Sequence, residues 1–145
     1  MSVLISGRGR VEGQVEAEAI VSRLPFGFWQ GLDPQTGLVI DQRHDLVGLS
    51  LKDKVFVYPY GRGSTGAPGI FLEAVRNGVA PAAIINVNSE PMIQVCALLA
   101  KAFFEKSIPV VDGLVRDPIE TIKTGDRVRI DGRAGTVEII SQKEV

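Results

Sequence analysis

The stretch VFVYPYGRGSTGAPGIFLEAV, Val55 to Val75, joins an apolar strand-like run to a helix-like run through a glycine-rich turn. Ser64 sits in the middle of that turn, two residues after Arg62. The start of a helix offers unpaired N–H groups and the positive end of its dipole, which together favour an anion. Arg62 adds a forked donor suited to a carboxylate or a phosphate. The neighbouring glycines, Gly63 among them, let a ligand approach the main chain. Two readings of Ser64 are open at this point. Its hydroxyl caps the helix, or it projects into a cleft.

Several better-known motifs are excluded. The Lys-Ser/Thr pair that closes a P-loop is missing, and G-x-G-S-T-G has the wrong spacing for a dinucleotide fingerprint. No G-x-S-x-G elbow is present, and no His/Asp pair is evident to complete a hydrolase triad. His44 is the only histidine, so a histidine-based metal site within the chain is not expected. In DQRHD, flanked by Asp41, Arg43 and Asp45, it reads as a hydrogen-bonded loop residue. Cys96 is the only cysteine, which rules out a disulfide framework, a multi-cysteine metal site and an iron–sulfur cluster held by this chain alone. The tetrapeptide GRGR, Gly7 to Arg10, precedes no helix and reads as an ordinary turn.

The elements that must position these residues alternate between strand and helix patterns. Val15, Ala17, Ala19 and Val21 alternate with Gln14, Glu16 and Glu18, as in a half-buried strand. KVFVYP, AAIINV and IPVVDG are short apolar runs that read as more deeply buried strands. DRVRIDGRAGTVEII reads as a hairpin, with Val128 and Ile130 packed beside Val137 and Ile139. One helix begins near Thr65 to Pro68 and stops at the Asn-Gly that follows Arg76. A second runs from about Glu90 to Lys106, with Met92, Val95, Leu99 and Phe103 at helical spacing, broadened by Cys96 and Ala100 into a core-facing stripe.

The segment from Phe26 to Gly48 is different, being rich in Gly, Asp, Pro and Gln with little periodicity. A long connection of this kind is often functional. In it, Asp33 with DPQTG reads as a turn, and Trp29 as an anchor that packs the loop. The pattern as a whole is mixed α/β, with strands packed against helices.

At 145 residues the chain reads as one domain, 1–145, large enough to bury its own core. Lys and Arg total 16 against 17 Asp and Glu, and the basic residues are scattered, so nucleic acid is not an expected partner. No apolar run is long enough to span a bilayer, and the N-terminus lacks the apolar centre of a signal peptide. The expectation is a cytoplasmic protein with no membrane partner.

The segments FWQGLDPQTGLVIDQRHDLVG, YGRGST, VRNGVAPAAIIN and SIPVVDG, in that order, closely resemble the small-subunit, or swivel-domain, family of aconitase X. The similarity runs from about Gly9 to Ile139, and the W-x-G-x-D-P-x-T-G-x-x-I-D-x-x-H segment together with G-R-G-S is quite specific. The resemblance implies a swivelling β/β/α domain that works with a large subunit. It also implies that this partner carries an iron–sulfur cluster, no metal being held by the chain itself. The pair would remove water from a hydroxy acid, of the mevalonate 5-phosphate or cis-3-hydroxy-L-proline type. The family's functional serine matches Ser64, as proton acceptor, with Arg62, Gly63 and Thr65 as substrate-binding neighbours. The chain departs from its relatives after G-R-G-S. Where they continue with further hydroxyl residues, this sequence has TGAPG, and Pro68 removes one backbone N–H.

Two competing readings come from other classes. A non-catalytic ligand-binding or assembly module would keep the fold and lose the chemistry, and TGAPG is its best support. A mobile phosphohistidine-type carrier domain shares the architecture, but its histidine belongs before the long helix, where this chain has NSEPMIQ.

Overall fold

One eight-residue strand sets the architecture, because its two halves pair differently. In the computed structural model, which describes residues 2–142, Gln14 to Glu18 pair antiparallel with Asp131 to Arg127. The next three residues, Ala19 to Val21, pair in parallel with Val55 to Val57. In chain order the elements are β1 (Val3–Ser6), β2 (Arg8–Val11), β3 (Gln14–Val21), β4 (Val55–Tyr58), α1 (Ala67–Arg76), β5 (Ala83–Asn86), α2 (Pro91–Phe104), β6 (Val110–Asp112), α3 (Pro118–Thr121), β7 (Arg127–Asp131) and β8 (Thr136–Ser141). The strand order is β1-β8-β7-β3-β4-β5-β6-β2, so β3 belongs to an antiparallel layer on one side and a parallel layer on the other.

Side-chain alternation then builds three layers. Phe56 and Tyr58 of β4 and Ile84 of β5 face the helices, meeting Phe71 and Ala74 of α1 and Cys96 of α2. Val55, Val57, Ile85 and Val111 face the other way, against Val128, Ile130, Val137 and Ile139 of the antiparallel layer. Because β4, β5 and β6 are buried on both faces, their sequences are apolar without a break, as expected for parallel strands covered on both sides. The result is the expected β/β/α domain. The expected C-terminal hairpin is present, and its register sets Val128 opposite Ile139 and Ile130 opposite Val137.

Three expectations need correction. GRGR is not a plain turn: Arg8 to Val11 form β2, which covers the edge of β6. Arg8 and Arg10 both donate from Nε to Asp112, at 3.2 and 2.9 Å, and Ser89 adds its N–H and its hydroxyl, each at 2.8 Å. Burial pushes the Asp112 carboxyl up, but the donors from Ser89 and Arg10 outweigh it and hold it below the ordinary carboxylate value.

The stripe of α2 is also rotated from the expected one. Ile93, Cys96, Ala97 and Ala100 face the core, whereas Val95 and Phe103 are exposed, with Leu98 and Phe104 beside them. The helix is apolar nearly all round, so periodicity does not select a face. The small residues Ala97 and Ala100 let the helix axis approach closely, and that packing decides. Cys96 lies in the core, and burial pushes its thiol up to about 12.

Thirdly, Trp29 does not anchor its loop in the core, since it is 49% exposed. That task falls to Phe26 and Phe28, packed edge-to-face at 5.0 Å and nearly fully buried. Phe26 also meets Phe56, and Phe28 meets Phe71. Among the described residues no helix is long and apolar enough to cross a membrane.

A candidate active site at the ends of the parallel strands

In open α/β layers, ligands collect beyond the carboxyl ends of the parallel strands, where the chain turns into loops and helices. The residues of chemical interest lie there. β4 ends at Tyr58, and the turn carrying Ser64 follows it into α1. Its path is fixed by pairing with the start of the long connection: Phe26 N–H donates to Tyr60 O at 3.2 Å and Arg62 N–H donates to Phe26 O at 3.0 Å. Beneath the turn, Glu90 caps α2 by accepting the N–H groups of Met92 and Ile93 at 2.8 and 2.9 Å. A side chain at Gly61 would place its Cβ 2.9 Å from Glu90 Oε1, so any other residue there would have to displace the carboxylate that caps α2.

Ser64 is not the cap of α1. Gly66 holds that position, and no side chain bonds there. Instead the turn folds back on Ser64 itself: Gly66 N–H donates to Ser64 Oγ at 3.2 Å, and Ala67 N–H donates to Ser64 O at 3.1 Å. Pro68 has no N–H to offer. The helix start therefore directs its first donors at one serine rather than at open solvent.

Ser64, Arg62 and Gly63 line a cleft of about 400 Å³ together with Gly27, Trp29, Gln30, Asp41 and Arg43. Thr65 is exposed and does not line it. Another cavity, of about 360 Å³, lies between α2 and the turn joining β2 to β3, and it contains none of these residues.

The opposite wall of the cleft comes from the long connection, which a buried cluster holds in place. His44 is 4% exposed. Its Nδ1 lies 3.2 Å from both the Leu46 N–H and Asp45 Oδ1, and its Nε2 faces Ser22 Oγ at 3.2 Å. The Ser22 hydroxyl donates to Asp45 Oδ1 at 2.6 Å, and Asp45 also accepts the Arg23 N–H at 3.0 Å. Serine, histidine and aspartate do meet, but they are no hydrolase triad. Ser22 donates directly to Asp45 rather than to the ring, and it is fully buried, out of reach of any substrate. The cluster is a clamp that ties the loop to the end of β3. His44 is thus a hydrogen-bonded loop residue, as its sequence context indicates.

Sequence reasoning missed Gln30, Asp41 and Arg43 as cleft residues and gave Trp29 another role. Trp29 lies over the turn: a Cβ at Gly66 would come within 2.5 Å of its indole Cε3. No local signal marks these residues, because what joins them to Ser64 is the adjacency of β3 and β4. Among the described residues, no three His, Cys, Asp or Glu side chains converge as a metal-ligand set. With its one thiol in the core, the chain's own donor set does not fit an iron–sulfur cluster.

The family model of the aconitase X swivel domain matches residues 4–139. The chain is 39% identical over 141 residues to a Methanosarcina acetivorans protein named phosphomevalonate dehydratase small subunit, covering 97% of this chain and 94% of that one. A protein of the same name from Methanocella arvoryzae is 41% identical over 135 residues, covering 93% of this chain and 98% of that one. Among solved structures, the holo-form of aconitase X from Thermococcus kodakaraensis superposes with a TM-score of 0.86 at 37% identity, covering 96% of this chain and 99% of that chain.

Proposed function

The chain belongs to the aconitase X swivel-domain family, and from that premise we propose that it is the small subunit of a dehydratase acting on a mevalonate 5-phosphate-type hydroxy acid. The names of its relatives support this substrate class over cis-3-hydroxy-L-proline. In this reading the active site is shared with a large subunit. The iron–sulfur cluster belongs to that partner, and no step on this chain runs through it.

As its alkoxide, Ser64 accepts the proton from the carbon next to the substrate carboxylate, and the C–H electron pair becomes the new double bond. Hydroxide departs from the neighbouring carbon, and the proton on Ser64 converts that hydroxide to water and restores the alkoxide. A serine accepts a proton only as its alkoxide, so whatever steadies negative charge at Oγ is part of the chemistry. The observation that carries the proposal is the Gly66 N–H donating to Ser64 Oγ at 3.2 Å, inside a cleft that also holds Arg62. Arg62 pairs with the carboxylate and withdraws charge from the reacting carbon as the proton leaves.

Co-expression with a large subunit of the same family tests this. The expected result is a stable heteromer that dehydrates mevalonate 5-phosphate. A chain that stays alone beside that partner, or a heteromer without dehydratase activity, overturns it.

A further inference from the structure

We propose that Arg43 is the second anion-binding residue of the cleft, holding a phosphate monoester at the far end of a hydroxy acid whose carboxylate lies at Arg62. This rests on the dehydratase reading above and adds the basis of its substrate choice.

The first ground is the state of the two guanidinium groups. Arg8, Arg10, Arg23, Arg76, Arg127 and Arg129 are each tied to a carboxylate. Arg43 and Arg62 line one cleft, and among the described residues neither side chain has a hydrogen bond or an ion pair. The nearby acids are engaged elsewhere. Asp41, which also lines the cleft, accepts the Arg43 N–H on Oδ1 at 3.0 Å. Glu90 caps α2, and Asp45 holds Ser22 and the Arg23 N–H. Two free forks against one partly engaged carboxylate leave the cleft complementary to an anion with more than one charge.

The second ground is the start of α1, where a phosphate would ordinarily be sought. Gly66 and Ala67 turn their N–H groups to Ser64, and Pro68 has none. The N-cap and the first two residues of α1 thus leave no N–H for a phosphate, which gives the side chains of the cleft a larger share in binding one.

The third ground is position. The proton taken by Ser64 comes from the carbon beside the carboxylate, which places the carboxylate next to Arg62 on the same turn. Arg43 stands on the other wall, its backbone held on both sides. Asp41 Oδ1 receives its N–H, and His44 N–H donates to Asp41 O at 3.0 Å. A planar guanidinium reaching out from that anchored backbone suits two phosphate oxygens. The same charge would repel the ammonium of a zwitterionic amino acid.

The test is calorimetric titration of the reconstituted heteromer with mevalonate 5-phosphate and with mevalonate. Arg43→Gln is expected to weaken binding of the phosphorylated acid roughly 10- to 100-fold, with a far smaller change for mevalonate. Arg43→Lys should recover part of the loss by keeping the charge without the fork. Arg62→Gln should weaken both acids by similar factors. If Arg43→Gln affects both acids alike, or neither, the proposal is overturned. A wild-type complex with no preference for the phosphorylated acid overturns it equally. A complex that shows the Arg43-dependent preference but does not dehydrate the acid leaves this proposal standing and removes only the dehydratase reading.

Discussion

The Gly66 N–H donates to Ser64 Oγ at 3.2 Å, so the first turn of α1 is built around the serine hydroxyl rather than capped by it. A capping serine would have its oxygen turned into the helix axis. This one faces the cleft and keeps a fixed donor at its back. That arrangement makes Ser64→Ala the most direct test of the chemistry. In the assembled heteromer, turnover is expected to fall by roughly 10²- to 10⁴-fold, the range of a lost general base. Assembly and thermal midpoint should hardly change, since one short-range turn bond is all that the fold loses. Activity close to wild type would remove the proton-acceptor role.

Gly66→Ala probes the same turn from outside. Its φ of −81° and ψ of −14° suit alanine, so the backbone is not strained. The added Cβ would instead meet the indole of Trp29 at 2.5 Å and push it out of the cleft. Trp29 is the only tryptophan in the chain, so its fluorescence reports the displacement directly. The expected outcome is a changed emission spectrum and reduced turnover, with stability altered by less than about 1 kcal/mol. An unchanged spectrum would show that the ring does not rest on the turn.

His44 is predicted to matter for stability rather than for proton transfer. Replacing it by alanine removes the acceptor for Leu46 N–H and the partner of Ser22, and it opens a void beside Phe26, whose ring centroid lies 5.2 Å away. A loss of about 2–4 kcal/mol follows from the combined cavity and unpaired donors. Denaturant unfolding measures it. Limited proteolysis should in addition cut the segment between Phe26 and Gly48 faster than in the wild type. If stability is untouched, the buried cluster is not the clamp described.

Asp112 gives a pH signature. Its folded carboxyl titrates below the ordinary aspartate value, so its contribution is fully present above that value and is lost as pH falls through the folded one. Asp112→Asn should therefore cost about 1–3 kcal/mol near neutral pH, from charge-assisted bonds to Arg8, Arg10 and Ser89. The deficit relative to wild type should shrink below roughly pH 4, where the wild-type side chain also begins to protonate. A difference in stability that stays constant across that range would contradict the assignment.

The sequence by itself determined whatever depends on short-range chemistry. Pro91 and Glu90 start α2, the Asn77-Gly78 pair ends α1, and the alternation of Val128, Ile130, Val137 and Ile139 around a Gly-containing turn marks a hairpin. The G-R-G-S turn and its resemblance to the aconitase X swivel domain were also legible there, as was Ser64 as the residue to watch. Only the tertiary structure decided which face of the largely apolar α2 is buried, because close approach at Ala97 and Ala100 selects it and periodicity does not. It also turned the GRGR tetrapeptide into an edge strand, since the buried Asp112 that its arginines grip lies a hundred residues away. The cleft has the same origin. Arg43 and Ser64 are 21 positions apart in the chain, and they share a wall-to-wall space only because β3 and β4 pair in parallel and release their loops at the same end.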